Sequence, residues 1–519
     1  MKRYLIYYLT IVYSISFWSC QPSLQRPNVY LITDFGASKD TTVAQTKYIQ
    51  LAIDEAFHSG GGCVIIPPGV YVTGTLKLKS NVTLEVLAGA ELRGSSDLAD
   101  YTPMLWGHNV DRQPYHLILA DSAENIEIRG QGVINGNGPA FWEPHNPANN
   151  PQWIKAKQKK VSPMVEIHAC KNVIIKDITL KTGGGWTLHL FNSDAITISG
   201  AKILNHLFSP NGDGIDISGC FDVAIQNCII KTCDDAICLK TMGDTRECKR
   251  ITVTNCIIEC SCAALKIGNE SFRNISQVTF SNCVVYNSSR AIGLYAEGGG
   301  TVEDVIISNI VCDSKTPLLY NRPIHISLLE RKEKGGGIYG SMNLNDSSVF
   351  DNKGRQPKLR NILISNIIAK SEGRILITAE PGRMIENLTL RDIQMIYPFI
   401  EDPEPNVDKI KSAQFSPMNP DAKKARAAMV VENVKNLVVD NFSIQWPTDS
   451  IPEDWKFPVR IANGTFDTFK SDYSKIRPCE FHAMWLKNVQ GGYIDAPMAF
   501  PSSGNMKKVE SIGSQITIK

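Results

Sequence analysis

The chain has 519 residues, of which 43% are apolar, enough to build a large hydrophobic core. Its formal net charge is +2, and it has neither a basic run long enough to bind nucleic acid nor an acidic tail. Charge therefore excludes a nucleic-acid partner and leaves the function open.

The first twenty residues differ from the rest. Lys2 and Arg3 form a basic start, residues 4–18 are almost wholly apolar or aromatic, and Cys20 follows a serine. An apolar run of about 15 residues is short for a membrane span and typical of a signal peptide. A small residue before a cysteine resembles a bacterial lipoprotein cleavage site. We expect export and lipid attachment at Cys20, at the outer membrane or in the periplasm; a plain secretory signal and an anchor helix are the alternatives.

Residues 42–58 have helical spacing and are followed by three glycines at 60–62. The apolar positions that recur there are Ala44, Tyr48, Leu51, Ala52, Ile53, Ala56 and Phe57. We expect a short helix that caps one end of a stack of strands, because uncovered strand edges invite aggregation.

A short phrase then recurs, in which apolar and polar residues alternate and an Asn or Asp closes the run. It ends at Asp177, Asn227, Asn255, Asn309 and Asn366, with weaker copies ending at Asp392 and Asn441. Positions 227, 255, 282 and 309 are 28, 27 and 27 residues apart. Alternation indicates strands with one buried face, and this period is typical of one coil of a solenoid. The sequence predicts an all-β, right-handed parallel β-helix whose corner Asn residues bond neighbouring coils. A leucine-rich repeat would need a Leu pattern that is absent, and a propeller would need longer blades.

Three stretches interrupt the period, at 139–161, 314–358 and 400–427. Long loops in a compact fold are usually functional or disordered, and here we expect the first two to wall a groove and the third to pack outside. Trp142 and Trp153, in the first stretch, either stack on sugars or pack. Strand phrases return at 428–446 and 481–517. We therefore expect one domain over residues 21–519, after a signal at 1–20.

Fourteen cysteines are present, ten of them between positions 220 and 312. Cys228, Cys256 and Cys283 recur in register with the fold period, which favours buried free thiols over disulfides. The short-spaced Cys/His pairs of a zinc site are absent from the sequence, so no metal is expected.

Four aspartates are the candidates for catalytic carboxylates. Asp213 and Asp216 lie in residues 209–217, and Asp234 and Asp235 open residues 234–240. Asp213 and Asp234 are 21 residues apart, close to one coil, so the carboxylates should lie side by side. Glycoside hydrolysis needs one carboxyl group as an acid and another as a base, and crowding keeps one of them protonated. The alternatives are turn chemistry and a calcium site.

Nearly the whole mature chain resembles glycoside hydrolase family 28, the polygalacturonase family. The resemblance is carried by residues 33–37, 67–80, 130–136 and 185–189, by Asn211 with Asp213, and by the pair Asp234 and Asp235. It implies that Asp235 is the general acid, that Asp213 and Asp234 position the water as base, and that the reaction inverts configuration without a metal or other cofactor.

Two motifs of the family are missing. The position of its Gly-His-Gly histidine is Ala263, and its uronate-binding Arg-x-Lys falls near Gly293 and Tyr295. Lys240 and Lys266 are 26 residues apart, so they either replace that positive edge or form a solvated pair. His189 and Asp216 are further candidates for substrate binding, although His189 is equally suited to packing.

We therefore expect an inverting glycoside hydrolase that acts on pectic or related acidic plant polysaccharide. Exo action is favoured because the insertions can block one end of the groove, and without the uronate clamp plain homogalacturonan should be a poor substrate. A monomer is expected, with membrane contact only through the lipid. A non-catalytic glycan-binding protein of this fold and a polysaccharide lyase remain as alternatives.

Overall fold

The computed structural model describes residues 28–104, 112–145, 154–315, 321–330, 355–398, 421–422, 425–447, 452–455, 460–462, 465–467, 481–500 and 508–519. The predicted signal peptide with Cys20, Trp153 and most of the third predicted insertion lie outside the described residues. Among the residues described, no helix has both the length and the apolar character to cross a membrane.

Each turn of the chain contributes up to three strands, and equivalent strands of successive turns pair in parallel. The result is the predicted right-handed parallel β-helix, which is confirmed. Sheet 1 contains β1 (Val29–Leu31), β2 (Gly62–Ile66), β5 (Val82–Val86), β8 (Glu124–Arg129), β11 (Lys171–Lys176), β14 (Asp194–Ser199), β17 (Phe221–Gln226), β20 (Cys248–Thr254) and β36 (Gln515–Ile518). Sheet 2 contains β3 (Gly69–Thr73), β6 (Ala90–Gly94), β9 (Val133–Asn135), β12 (Thr179–Lys181), β15 (Lys202–Leu204), β18 (Ile229–Thr232), β21 (Ile257–Cys260) and β34 (Met498–Phe500).

The third sheet positions the site. Sheet 3 contains β4 (Leu76–Leu78), β7 (Ile118–Asp121), β10 (Val165–His168), β13 (Leu188–Phe191), β16 (Ile215–Ser218), β19 (Ile237–Thr241), β22 (Ala263–Ser271), β24 (Arg290–Ala296), β26 (Ile324–Leu328), β28 (Ile375–Ala379) and β35 (Val509–Ile512). Longer strands bend around the corners between sheets: β23 (Ile275–Tyr286), β25 (Thr301–Ser314), β27 (Lys358–Ser371), β29 (Ile385–Ile396), β30 (Ala427–Gln445) and β33 (His482–Ile494). Outside this network, β31 (Arg460–Ala462) and β32 (Thr465–Asp467) form an antiparallel pair.

The core is a set of apolar columns inside the coils. In sheet 3, for example, Ile215, Ile237, Leu265, Ile292 and Ile324 align across five strands. All five are fully buried. Because successive side chains of a strand point to opposite faces, the residues between them point outward. The alternation seen in the sequence thus separates the core from the outer face.

Asparagines mark the coil corners, as predicted. Asn309 has a left-handed backbone (φ 56°), donates to Asn282 Oδ1 at 2.9 Å and accepts from Asn366 Nδ2 at 2.9 Å. These bonds between coils run from side chain to side chain. Asn tolerates the left-handed region because its short side chain bonds locally.

The predicted cap is helix α1 (Thr46–His58), which begins four residues later than the spacing indicated. Its buried face consists of Ile49, Ala52, Ile53 and Ala56, and it contacts β2 and β4. Leu51 and Phe57, which were assigned to the apolar face, are exposed. The helix covers the start of the coil stack.

The second insertion and the cysteines can also be compared with their predictions. Strand β26 lies inside the second predicted insertion, so part of that stretch continues sheet 3 instead of interrupting it. The prediction of free thiols is confirmed for the described part of the chain: its twelve cysteines are free and buried.

Candidate active site

The outer face of sheet 3 is unusual, because from β16 to β28 both faces of the strands are largely buried. Sheets 1 and 2 instead expose their outward residues in the usual alternation. One outward column of sheet 3 runs in register through Glu166, His189, Asp216, Cys238, Lys266, Gly293 and His325. Buried polar residues on an outer face indicate a site rather than a packing surface.

Asp213 and Asp235 end the loops that lead from sheet 2 into β16 and β19. The Gly214 amide donates to the Asp235 carbonyl at 2.9 Å, which stacks the two loops on adjacent coils. Asp213 is 3% exposed and Asp235 is 4% exposed. Asp234 is half-buried, and its Oδ1 accepts from the Asp235 amide at 3.0 Å. The structure therefore brings the three predicted catalytic residues together.

Lys240 serves two of these carboxylates. Its Nζ lies 3.3 Å from Asp213 Oδ2 and 2.7 Å from Asp216 Oδ1, and 3.9 Å from the centroid of the Trp186 ring. One ammonium cannot neutralise two carboxylates. Burial and the nearby Asp216 raise the pKa of Asp213 well above its usual value, although Lys240 opposes this.

Asp235 has its own cation. Lys266 Nζ bonds Asp235 Oδ2 directly, and both side chains are buried. Burial by itself would raise the pKa of Asp235, but Lys266 and Lys240 outweigh it and lower that pKa. Burial and the neighbouring Asp235 raise the pKa of Asp234. The molecule without substrate thus holds Asp235, the residue that the resemblance makes the general acid, as a carboxylate.

Asp213 and Asp235 each have one carboxylate oxygen without a hydrogen-bond partner among the described residues, as does Asp216 at Oδ2. Among the described residues, Asp213 Oδ1 and Asp235 Oδ1 are buried and accept no hydrogen bond. A buried polar atom without a partner is costly, and native structures usually satisfy such atoms with water or a ligand. These two atoms, from adjacent coils, are the positions at which a reacting water and a leaving-group oxygen can be held.

His189 and Asp216 were predicted to bind substrate, and in the structure both side chains have protein partners. Both are fully buried. His189 Nδ1 lies 2.8 Å from Glu166 Oε2, and its Nε2 lies 2.9 Å from Ser218 Oγ. Both ring nitrogens of His189 are therefore engaged by protein groups in this structure. Asp216 likewise serves as the second partner of Lys240.

Glu166 and Arg112 form a buried ion pair behind this histidine, and sequence reasoning missed both. Arg112 Nε bonds Glu166 Oε1 at 3.0 Å. Burial would raise the pKa of Glu166, but Arg112 and His189 lower it. Spacing was the available signal for Glu166, which precedes His189 by 23 residues, about one coil. Arg112 offers no such signal, because it lies in a loop.

The lysine pair also differs from expectation. Lys266 aligns with Cys238, and Lys240 aligns with Ser218 on the other side. Beyond Leu239 the register shifts, because three residues of β22, 268–270, face the single residue Lys240. The two lysines therefore do not stack, and neither is solvated. Lys266 forms an ion pair with Asp235 directly.

At the position where the family's Arg-x-Lys motif was expected, Tyr295 packs against Gly293 and contacts His325. A Cβ at Gly293 would lie 2.7 Å from Tyr295 Cε2 and 2.9 Å from its hydroxyl oxygen. The Tyr295 hydroxyl lies 3.1 Å from His325 Nδ1, and its ring centroid lies 6.0 Å from Lys266 Nζ. The Tyr295 ring thus folds back over Gly293 and leaves no room for a longer side chain there. Ala263, at the position of the family histidine, is fully buried.

Trp142 packs rather than facing a groove. It is buried, and its indole nitrogen donates to the Gly184 carbonyl at 3.2 Å. A stacking role on sugar therefore finds no support for Trp142, and Trp153 lies outside the described residues.

One group of side chains has the spacing of a metal site. Ligand atoms of Asp234, Asp235 and Cys262 lie within 4.8 Å of one another. However, Lys266 already pairs with Asp235, and Arg290 donates to Cys262 Sγ at 2.6 Å. Burial raises the pKa of this thiol well above its usual value, whereas a metal requires the thiolate. The group does not fit a divalent cation.

Known proteins share both sequence and fold with this chain. Glycosyl hydrolases family 28 matches residues 64–321. An exo-poly-α-D-galacturonosidase from Dickeya chrysanthemi is 28% identical over 258 residues, covering 41% of this chain and 42% of its own length. A polygalacturonase from Persea americana is 27% identical over 220 residues, covering 40% and 43%. The chain therefore matches less than half the length of these relatives.

Solved structures extend the likeness of the fold. A family 28 exopolygalacturonase from Yersinia enterocolitica superposes with a TM-score of 0.58 at 17% identity, covering 95% of this chain and 78% of its own. An exopolygalacturonase from Thermotoga maritima gives a TM-score of 0.57 at 20% identity, covering 72% and 89%. The matched stretch, residues 64–321, contains Asp213, Asp234 and Asp235, and on this evidence that part of the chain belongs to glycosyl hydrolases family 28.

Proposed function

We propose that this protein is an inverting, exo-acting glycoside hydrolase of pectic or related acidic plant polysaccharide, and that it works as a monomer. The observation that carries the proposal is the meeting of Asp213 and Asp235 on adjacent coils, each with one buried carboxylate oxygen that lacks a partner among the described residues. Glycosidases place two carboxyl groups on either side of the scissile bond in this way. Exo action is supported by the relative from Dickeya chrysanthemi, which is named as an exo-poly-α-D-galacturonosidase.

The proposed roles follow the family pattern. Asp235 donates a proton to the leaving oxygen, and Asp213 with Asp234 orients and activates the attacking water. Lys240, which also pairs with Asp216, holds Asp213 in place. His189 bonds both Glu166 and Ser218 on the neighbouring strands and so supports this arrangement. Each role is performed by a side chain of the chain itself, so no step requires a bound cofactor.

The reaction class is tested by the first product formed. Purified protein would be incubated with a panel of pectic oligosaccharides, and the anomeric configuration of the new reducing end followed by proton NMR. Inverted configuration is expected. Retained configuration would contradict inversion, an unsaturated product absorbing in the ultraviolet would identify a lyase, and binding without turnover would favour a glycan-binding protein.

Substrate preference is the second part of the proposal. The Tyr295 ring occupies the place from which the family's arginine would bind a uronate, and an arginine fork gives a two-point contact that a single lysine cannot provide. We therefore expect faster hydrolysis of rhamnogalacturonan oligosaccharides than of plain homogalacturonan. Comparing initial rates at equal chain length tests this, and a faster rate on homogalacturonan would overturn it.

We also propose export with a lipid on Cys20, from the basic and apolar start of the sequence. Labelling cells with a tagged fatty acid should mark the wild-type protein and not a Cys20→Ala variant. Equal labelling of both, or a mature N-terminus at another residue by mass spectrometry, would contradict this proposal.

A further inference from the structure

The general acid of the proposed reaction begins in the wrong protonation state. A general acid must carry a proton before the leaving oxygen departs. Asp235 instead forms a buried ion pair with Lys266 and is held as a carboxylate. Something in the complex with substrate must therefore remove Lys266 from Asp235, and the surroundings of the pair indicate what does so.

The pair is surrounded by an excess of acids. The charged or titratable groups facing it come from four coils: Asp213 and Asp216 beside β16; Asp234, Cys238 and Lys240 on the β19 coil; Cys260, Cys262 and Glu270 on the β22 coil; and Arg290 and Tyr295 on β24. Among these, with Asp235 and Lys266 included, carboxyl groups outnumber the cations Lys240, Lys266 and Arg290. A further anion entering here would favour uptake of a proton.

The pair is also built to exchange partners. Lys266 retains 10% of its side-chain surface, twice the 5% of Asp235, so Lys266 is the more accessible partner of the pair. Asp235 Oδ1 has no partner among the described residues, so the carboxyl group can turn to a new one. Lys266 is a point charge with three donors, which suits a carboxylate arriving from solution.

We propose that Lys266 is a specificity-determining residue that exchanges Asp235 for the carboxylate of an acidic sugar, and that this exchange releases Asp235 to take up the proton it donates. The inference rests on the proposed function, which it deepens. In the exchange no covalent bond forms or breaks: the Lys266–Asp235 ion pair is replaced by an ion pair between Lys266 and the sugar, and Asp235 gains one proton from solvent. A neutral sugar leaves the original pair intact, so Asp235 stays ionised and turnover is slow.

Kinetics against pH test this directly. The substrates are a rhamnogalacturonan oligosaccharide and its carboxyl-reduced form, which differ only in the charged group. The pH dependence of kcat/KM reports the free enzyme, and that of kcat reports the complex. For the acidic substrate, the loss of activity at high pH should occur about one pH unit or more higher in kcat than in kcat/KM. For the reduced substrate, the two profiles should coincide.

Two variants separate charge from shape. Lys266→Met removes the charge at similar length, and Lys266→Arg keeps it. In Lys266→Met the two profiles should coincide for both substrates, and the preference for the acidic substrate should fall about tenfold or more. Lys266→Arg should keep both the offset and most of the preference. Equal losses on both substrates in Lys266→Met, with the wild-type offset unchanged, would overturn the inference.

A binding measurement makes the result independent of turnover. An Asp213→Asn background blocks hydrolysis while keeping Asp235 and Lys266, and calorimetry at about pH 5 in buffers of different ionisation enthalpy counts the protons taken up. Uptake is expected with the acidic oligosaccharide and not with the reduced one. It should disappear when Lys266→Met or Asp235→Asn is added.

The two proposals fail separately in this design. Proton uptake without hydrolysis by the wild-type protein would support the exchange and contradict the enzyme. Hydrolysis without uptake, or uptake that persists in the Asp235→Asn double variant, would contradict the exchange and leave the enzyme standing. If neither oligosaccharide is bound or cleaved, both proposals are overturned.

Discussion

The amide of Gly214 donates a hydrogen bond of 2.9 Å to the carbonyl of Asp235, so the backbone that follows Asp213 is held against the backbone of Asp235. The backbone positions of the two residues are therefore set by hydrogen bonding between adjacent coils, and the side-chain partners Lys240 and Lys266 contribute to where the carboxyl groups lie. Because the backbone bond does not involve either side chain, the side chain of Asp213 or of Asp235 can be replaced without moving the backbone of the other residue.

Replacing Asp235 with Asn should abolish hydrolysis, because the change removes the acidic proton and keeps the shape. The fold should stay intact, although loss of the buried ion pair with Lys266 should lower the free energy of unfolding. General acid–base steps contribute about 100-fold to 10,000-fold, and a loss in that range is expected. Initial rates and thermal unfolding would be measured together. The matched control is Asp222→Asn, on the exposed face of sheet 1, where Asp222 pairs with Arg250. More than half of the wild-type rate in Asp235→Asn would refute the role of this residue.

Lys240→Met should destabilise the protein, since it leaves Asp213 and Asp216 buried without their shared cation. Breaking a buried pair in this way costs about 3–5 kcal/mol of the free energy of unfolding. The double variant Lys240→Met/Asp216→Asn should recover part of that loss. Lys231→Met is the control, because Lys231 pairs with Glu259 at the surface, where a pair is worth about 0–1 kcal/mol. Denaturant midpoints measure all three, and equal effects at 240 and 231 would contradict the charge argument.

The free energy of unfolding should fall in mild acid, because His116 is buried in its neutral form. This histidine is fully buried, and burial lowers its pKa to about 4, despite the nearby Glu166 carboxylate and the Pro163 carbonyl, which lies 2.8 Å from its Nδ1. Below about pH 6.5 the unfolded chain takes up a proton at this position and the folded protein does not. The stabilisation is therefore complete above pH 6.5 and is lost as the pH falls towards 4, by roughly 3 kcal/mol.

Unfolding midpoints at about pH 7 and pH 5 would show this loss, and His116→Gln should reduce it because Gln does not titrate in this range. His58→Gln, on the exposed end of α1, is the control and should behave like wild type. An unchanged pH dependence in His116→Gln would assign the acid sensitivity to other groups, such as His325, whose pKa burial also lowers.

Gly293→Ala should disturb the site without unfolding it. The added methyl group meets the Tyr295 ring at 2.7–3.1 Å, so the ring must move and its contact with His325 breaks. Overpacking of this kind costs about 1–3 kcal/mol. Tyr295→Phe, which removes only the hydroxyl, should cost about 1 kcal/mol. The methyl group should be tolerated better in a Tyr295→Leu background, and equal costs in the two backgrounds would contradict the contact.

Much of this architecture could be predicted from the chain alone. The intervals of 28, 27 and 27 residues between corner asparagines predicted the coils, and the 21 residues between Asp213 and Asp234 predicted that these aspartates lie on adjacent coils. Both predictions succeed because a parallel β-helix converts a fixed spacing in sequence into adjacency in space. Alternation is equally local, since successive side chains of a strand face opposite sides.

The partners of the charged side chains were decided only by the tertiary structure. The spacing of 26 residues placed Lys240 and Lys266 on neighbouring coils, but a two-residue excess in β22 shifts the register beyond Leu239, and each lysine pairs with a different aspartate. The sequence left His189 as a candidate for either substrate binding or packing, and in the structure Glu166 and Ser218 engage both of its ring nitrogens. The physical reason is that spacing determines which coils are neighbours. Rotamers, bulges and the competition of buried charges for few counter-ions determine which side chains bond, and these depend on packing across several coils at once.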